Sequence, residues 1–408
     1  MWHRYADAAT LLGVLLLNAA ALSAQETASD TLLTVNHYLD WERVGDPQIS
    51  PDGSQIVYAR SRVNQIEDRW DSELWLMNAD GSKPRFLVKG SSPRWSSDGT
   101  RIAYLAEGEP KGTQIFVRWM DAEGATSQIT RLTETPSNHR WSPDGRVLAF
   151  VMRVPEKETW SISMPPAPEG ATWTEPPRMI DRIHYRLDRV GFSKPGNTHL
   201  FVVPADGGTA RQITRGAWSV GARFSGMFFC SGVDWAPDGK TIVFDGVQGE
   251  GGVDRYAESY IYGVDVATGA VRQLVSTKGW WHVPRVSPDG RRVVFSGYQF
   301  TTQTYRAEDL YVVGLDGQGM AKISGELDRD PSNVTWAPDG RAVYFTAGDR
   351  GSANVYRTDL TGRVQPVTSG VHMLSLASVA QNGTAVGVRS SFQEPPDVVR
   401  VDLARGGV

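Results

Sequence analysis

Arg182, His184 and Arg186 alternate along the run Arg178-Met-Ile-Asp-Arg-Ile-His-Tyr-Arg-Leu-Asp-Arg189. On a strand, all three side chains would face one side. Two guanidiniums and an imidazole there would form a surface for an anionic group, for instance a peptide carboxylate. The same residues would equally serve an ordinary salt-bridged surface. Other chemistry is hard to place. The string nearest to a G-x-S-x-G nucleophile elbow, Gly191-Phe-Ser-Lys-Pro195, carries proline where the last glycine is required. No H-E-x-x-H occurs, and the 7 histidines (His3, His37, His139, His184, His199, His282 and His372) show no metal-ligand spacing. The single cysteine, Cys230, leaves no disulfide within the chain and no C-x-x-C site. The stretch from Gly246 to Gly252 reads as a flexible hairpin connection rather than a phosphate cradle. The expectation is therefore no catalytic residue, no metal and no cofactor on this chain, with Arg182, His184 and Arg186 as candidate substrate-binding residues.

Composition narrows the class. The 408 residues carry 42 Lys+Arg against 46 Asp+Glu, a formal net charge of −4. No basic excess exists to neutralise a phosphate backbone, so nucleic acid is not an expected partner. With 40% apolar and 22% charged residues, the chain is ordinary globular protein rather than disordered polymer.

The element that must position any site is a repeat. Ile49-Ser-Pro-Asp-Gly53 recurs as Trp95-Ser-Ser-Asp-Gly99, Trp141-Ser-Pro-Asp-Gly145, Trp235-Ala-Pro-Asp-Gly239, Val286-Ser-Pro-Asp-Gly290 and Trp336-Ala-Pro-Asp-Gly340. A worn seventh copy surrounds Asn382-Gly383. The glycines are spaced by 46, 46, 94, 51, 50 and 43 residues. Each copy is a turn, with Asp capping locally and Gly supplying positive φ. A β-branched and aromatic strand follows each turn, as in Arg101-Ile-Ala-Tyr-Leu105 or Arg292-Val-Val-Phe295. A third strand, such as Leu310-Tyr-Val-Val313, and a short outer strand, such as Arg211-Gln-Ile-Thr214, complete a four-stranded unit. A period near 45–50 residues with this content predicts an all-β fold, a seven-bladed β-propeller of four-stranded blades with the last blade incomplete. The motif tryptophans are expected to pack between blades. The long gap predicts an insertion at 152–198, rich in proline, projecting as a loop or hairpin.

The N-terminus reads differently. A basic start, Met1 to Arg4, precedes an apolar run from Ala8 to Leu22 and small residues up to Ala24. This predicts a secretory signal peptide over 1–24, cut after Ser23 or Ala24; a retained N-terminal anchor is the alternative. The apolar run is short for a spanning helix, and no other segment could cross a membrane. The expected organisation is a signal peptide at 1–24, an N-terminal segment at 25–44 and the propeller at 45–408. The expected location is exported, periplasmic or secreted.

Repeated W-S-P-D-G turns followed by L-[YF]-V-V, D-G-G and R-Q-[IL]-T resemble the propeller repeats shared by TolB and the prolyl oligopeptidase (S9) family of serine peptidases. The opening Leu33-Thr-Val-Asn-His-Tyr-Leu39, with Val44 to Gly53, is similar to the acylaminoacyl-peptidase-like branch of that family. So is the run from Pro177 to Asp188 leading into Thr198 to Val203. The resemblance spans about residues 32–408. It implies a propeller that caps a C-terminal α/β-hydrolase domain holding a Ser-Asp-His triad and admits short peptides. That domain is not within these 408 residues, and the chain stops inside its last blade. No adjacent Glu pair is present, so the amine-holding specificity of the dipeptidyl peptidases does not carry over. Two functions follow. One is the substrate-gating propeller of an exported S9-type peptidase, whose partners are a peptide and a hydrolase domain. The other is a stand-alone, non-catalytic TolB-like propeller that binds a protein partner.

Overall fold

The computed structural model describes residues 33–156, 160, 162–174, 177–181, 185–188, 190–224, 227–230, 232–249, 255, 257–303 and 306–408. The chain divides into two compact units, one holding residues up to Glu42 together with Arg62–Asp71, the other Arg43–Ser61 and Ser72–Val408. In the smaller unit a five-residue helix, Val35–Leu39, starts at a reciprocal Thr34–His37 cap. There Arg69 also bridges Glu67 and Asp71, at 2.9 and 3.0 Å.

The larger unit is built almost wholly of antiparallel sheets, each made from neighbouring strands in sequence order. In the first sheet Glu42–Ile49, Gln55–Asn64, Arg69–Asn78 and Arg85–Lys89 pair consecutively. Later groups of strands begin at Ser91–Trp95, Ser137–Trp141, Val233–Trp235, Gly279–Val286, Pro331–Trp336 and Met373–Val379, the last two sharing one seven-stranded sheet. The pairing is that of a β-propeller and is consistent with seven blades. The last unit has three strands, Met373–Val379, Thr384–Ser390 and Asp397–Asp402, and touches the sixth through a parallel bridge from Ala353 to Met373.

The repeated turn behaves as its residues dictate. Gly53, Gly99, Gly145, Gly239, Gly290, Gly340 and Gly383 all have φ between 66° and 84°. Each donates its N–H to the carbonyl three residues back, as Gly99 does to Ser96 at 2.9 Å. Where the motif carries Ser, its hydroxyl donates to the turn aspartate, as Ser142 does to Asp144 at 2.6 Å.

The motif tryptophans do more than fill space. Trp95 donates its indole N–H to the carbonyl of Gln48, Trp141 to that of Arg94, Trp235 to that of Arg140 and Trp336 to that of Arg285, at 2.9–3.3 Å. Each acceptor is the residue just before the motif in the preceding blade, so one side chain joins two neighbouring inner strands. An indole partly buried with its N–H satisfied contributes both apolar area and a hydrogen bond. Where the motif has Val286, the joint is made by Asp234, whose carboxylate accepts the Val286 N–H at 2.8 Å. The interior between blades is aliphatic and aromatic. Trp281, fully buried, lies edge-on to Phe295 and Tyr311 with ring centroids 5.5 and 4.9 Å apart. Gly297 lies at φ 138°, and a β-carbon there would fall 1.9 Å from the Trp280 carbonyl, so only glycine lets these two strands approach.

The 94-residue spacing resolves into two additions. The first leaves the third blade between its second and third strands, Val147–Pro155 and Gly196–Pro204, which pair over their whole length. It contains a two-residue hairpin, Arg186–Leu187 against Gly191–Phe192. The second addition precedes the fourth blade: Ser219–Val220 extends the same edge of Thr241–Val247 that Val233–Trp235 pairs with, and Ala222–Phe224 pairs with Met227–Cys230. Sequence periodicity did not mark the second addition, because it carries no turn motif of its own.

Candidate functional site

The innermost strands share a device. Asp46, Ser92, Asn138, Val283 and Asn333 all have φ between 44° and 54°. Each stands seven residues before its turn glycine. The ladder slips at this point, between Ser91 and Arg94, between His282 and Arg285 and between Ser332 and Thr335. This is a β-bulge repeated around the ring, and a bulge re-aims the side chains that follow it. The residues re-aimed are Gln48, Arg94, Arg140, Arg285 and Thr335, each two positions after the left-handed one. Together with Asp234 they line one cavity of about 920 Å³. Val283 is β-branched and strained in this conformation. The carboxylate of fully buried Asp245 holds it there, accepting the N–H of Val283 at 2.8 Å and of Gly232 at 2.9 Å.

The cavity wall is about equally polar and apolar and carries both signs of charge. Arg94 places one guanidinium nitrogen 3.0 and 2.8 Å from the two carboxylate oxygens of Asp46, and Gln48 donates to the same carboxylate at 2.8 Å. Arg285 donates to the carbonyl of Pro284 at 2.9 Å. Burial, and then the neighbouring Arg94 and Arg285, push the Arg140 guanidinium down to about 9; Asp234 and Asp46 oppose the shift. Arg140 therefore stays charged at neutral pH. Burial raises the Asp234 carboxyl, against the pull of Arg285 and Arg140. Behind this wall His139 is buried, with Nε2 3.4 Å from the Ala103 carbonyl. Burial first, then Arg94 and Arg140, push it down to about 3, so it is neutral and adds no charge. Elsewhere on the wall His282 lies 3.1 Å from Glu308, and Asp330 accepts the Glu308 N–H at 2.7 Å. Asn333 and Ser375, joined at 2.8 Å, present amide and hydroxyl groups from the last two units.

The insertion's candidates are not in this cavity. Arg182 and His184 lie outside the described residues. Arg186 is exposed on the small hairpin, with its guanidinium carbon 5.9 Å from the Phe192 ring centroid. Arg178 lies over the same ring at 4.3 Å. The channel residues were available to sequence reading through one signal that passed unused: the position immediately before each motif, which reads Gln48, Arg94, Arg140, Asp234, Arg285 and Thr335.

Comparison with known proteins fits this geometry. The TolB β-propeller domain family matches residues 233–408. The chain is 26% identical to a dipeptidyl-peptidase 5 of Porphyromonas gingivalis, across 98% of this chain and 58% of that protein. It is 27% identical to a dipeptidyl-peptidase 5 of Aspergillus fumigatus, across 82% and 50%. The chain thus spans little more than half the length of these curated relatives. Among solved structures, the acylaminoacyl peptidase of Pyrococcus horikoshii superposes with a TM-score of 0.68 at 18% identity, covering 90% of this chain and 52% of that one. The β-propeller domain of the trilobed protease of Pyrococcus furiosus, described as having an open velcro topology, superposes at 0.61 and 18% identity, covering 89% and 96%. Likeness at this identity carries the fold. Residues 233–408 match the TolB β-propeller domain family, and the chain as a whole has a β-propeller fold like that of these solved structures.

Proposed function

We propose that this chain is the substrate-gating propeller of an exported S9-type serine peptidase acting on short peptides, with the chemistry on an α/β-hydrolase domain outside these 408 residues. The cavity of about 920 Å³ between the inner strands carries this reading. It falls in the size range of sites that enclose small ligands, and a folded protein domain could not enter it. Its walls mix hydrogen-bonding groups with apolar side chains on strands, which suits a peptide, whose backbone is polar and whose side chains vary. The match to peptidases along nearly the whole chain supports the same reading. Export is part of the proposal; the segment expected to direct it, residues 1–24, lies outside the described residues. Arg182, His184 and Arg186 remain the insertion's proposed contacts to a peptide or to the hydrolase domain. The TolB-domain match favours a second reading, a non-catalytic propeller that recruits a protein partner.

The test is the native gene product. Its reading frame is sequenced past Val408, and cell extracts are labelled with a fluorophosphonate. A labelled product that contains this propeller and a G-x-S-x-G sequence supports the peptidase. An unlabelled native product of this length, with no labelled protein co-purifying, leaves the TolB-like reading in its place.

A further inference from the structure

Arg140 stands apart among the partly buried arginines of this molecule. A charge inside a protein is ordinarily paired or fully hydrogen-bonded. Arg94 has Asp46, and Arg153 has Glu134 at 2.7 Å. Arg140 makes no side-chain hydrogen bond and no ion pair among the described residues. Its strongest electrostatic neighbours are two further guanidiniums, Arg94 and Arg285. Asp234 and Asp46 attract it without an ion pair: Asp46 holds Arg94 and Gln48, and one Asp234 oxygen accepts the Val286 N–H. His139 behind it is neutral. Arg140, Arg94 and Arg285 thus face Asp46 and Asp234, while Glu308, beside His282, and Asp330 line the same cavity.

We infer that Arg140, flanked by Arg94 and Arg285, is a binding site for a single carboxylate of a peptide that enters the channel. A planar guanidinium fork is matched to a carboxylate by two parallel hydrogen bonds. Asn333 and Ser375 on the wall of the same cavity supply neutral partners for the amide groups that accompany such a carboxylate. The inference rests on the reading of the channel as a peptide passage and specifies which peptides it retains. The carboxylate is either the C-terminal one or an Asp or Glu side chain.

Calorimetric titration of the full chain with three probes tests this: trialanine as the free acid, trialanine amide, and N-acetyl-Ala-Asp-Ala-amide. The free acid is expected to bind at least tenfold more tightly than its amide. Binding of the aspartyl amide at the free-acid level would keep the site and assign it to acidic side chains. Arg140→Gln is expected to abolish the preference, and Arg140→Lys to keep part of it. Because Arg140 is unpaired, Arg140→Gln should leave the melting temperature unchanged or raise it, whereas a merely structural arginine would lower it on removal. Equal binding of acid and amide, or a preference that survives in Arg140→Gln, would overturn the carboxylate site and leave the peptide channel standing. No binding of any of the three probes would overturn both.

Discussion

Two groups of arginines stand out in this chain, and the fold treats Arg186 of one and the members of the other in opposite ways. Arg182 and Arg186 belong to a proline-rich insertion and are conspicuous in sequence. Arg94, Arg140 and Arg285 are hidden in a repeat, each one residue before its motif. Arg186 sits on a two-residue strand, exposed, against a single phenylalanine ring. The channel arginines sit on strands paired within their sheet, just past a bulge, and a neighbouring tryptophan binds each one's own carbonyl. The difference teaches that precision here comes from the repeat. A position recurring in every blade converges on one cavity, whereas a salient insertion offers residues with little behind them.

This contrast can be broken at several depths. Trp281→Ala, in the fully buried packing between blades, should cost about 3–5 kcal/mol in denaturant unfolding. The matched change Trp173→Ala, exposed in the insertion, should stay within about 0.5 kcal/mol. Equal losses at the two sites would erase the distinction between scaffold and appendage.

Acid should act next, through the channel wall. His139 is held at about 3 in the native state, against 6.5 ordinarily, so below 6.5 the unfolded chain binds a proton that the native chain refuses. Stability is therefore fully present above pH 6.5 and falls as pH drops, by up to about 1.4 kcal/mol per pH unit, until the native value is reached. This amounts to about 3 kcal/mol by pH 4. His139→Gln should remove that slope between pH 6.5 and 4, as read by urea midpoints across the range. His199, which burial also lowers, contributes a drift of the same sign.

The tryptophan joints should be worth less. Trp336→Phe replaces the buried indole by a smaller ring and deletes the N–H bonded to Arg285, and should cost about 1–2 kcal/mol. If it instead costs nothing, neither the packing nor the hydrogen bond of this joint supports the fold. The smallest effect is expected in the insertion itself: Arg186→Ala should change stability by less than about 0.5 kcal/mol, and a larger loss would show the hairpin to be part of the scaffold.

The scaffold was legible because its determinants are local. Asp-Gly turns, β-branched strands and their spacing specify four-stranded units before any long-range contact is considered. The packing role expected of Trp95, Trp141, Trp235 and Trp336 is realised, with a hydrogen bond added to it. The site was legible only in part. Arg94 and Arg140 are separated by a full repeat, and each alone reads as a surface residue beside a turn. The second addition, around Ser219–Val220, escaped notice because it lengthens one edge of a strand without a turn signature of its own.

The sequence by itself determined the unit: where each strand turns, which face is apolar, and that the unit recurs at a period suited to a closed array. Only the tertiary structure decided what the recurrence is for. Closing the array brings the bulged inner strands from separate repeats around one cavity, and that convergence sets Arg140 in the field of Arg94 and Arg285 with no ion pair among the described residues. Periodicity encodes which side of a strand a residue occupies. Its distance to the equivalent residue in another repeat, and hence the field between them, exists only once the repeats have packed.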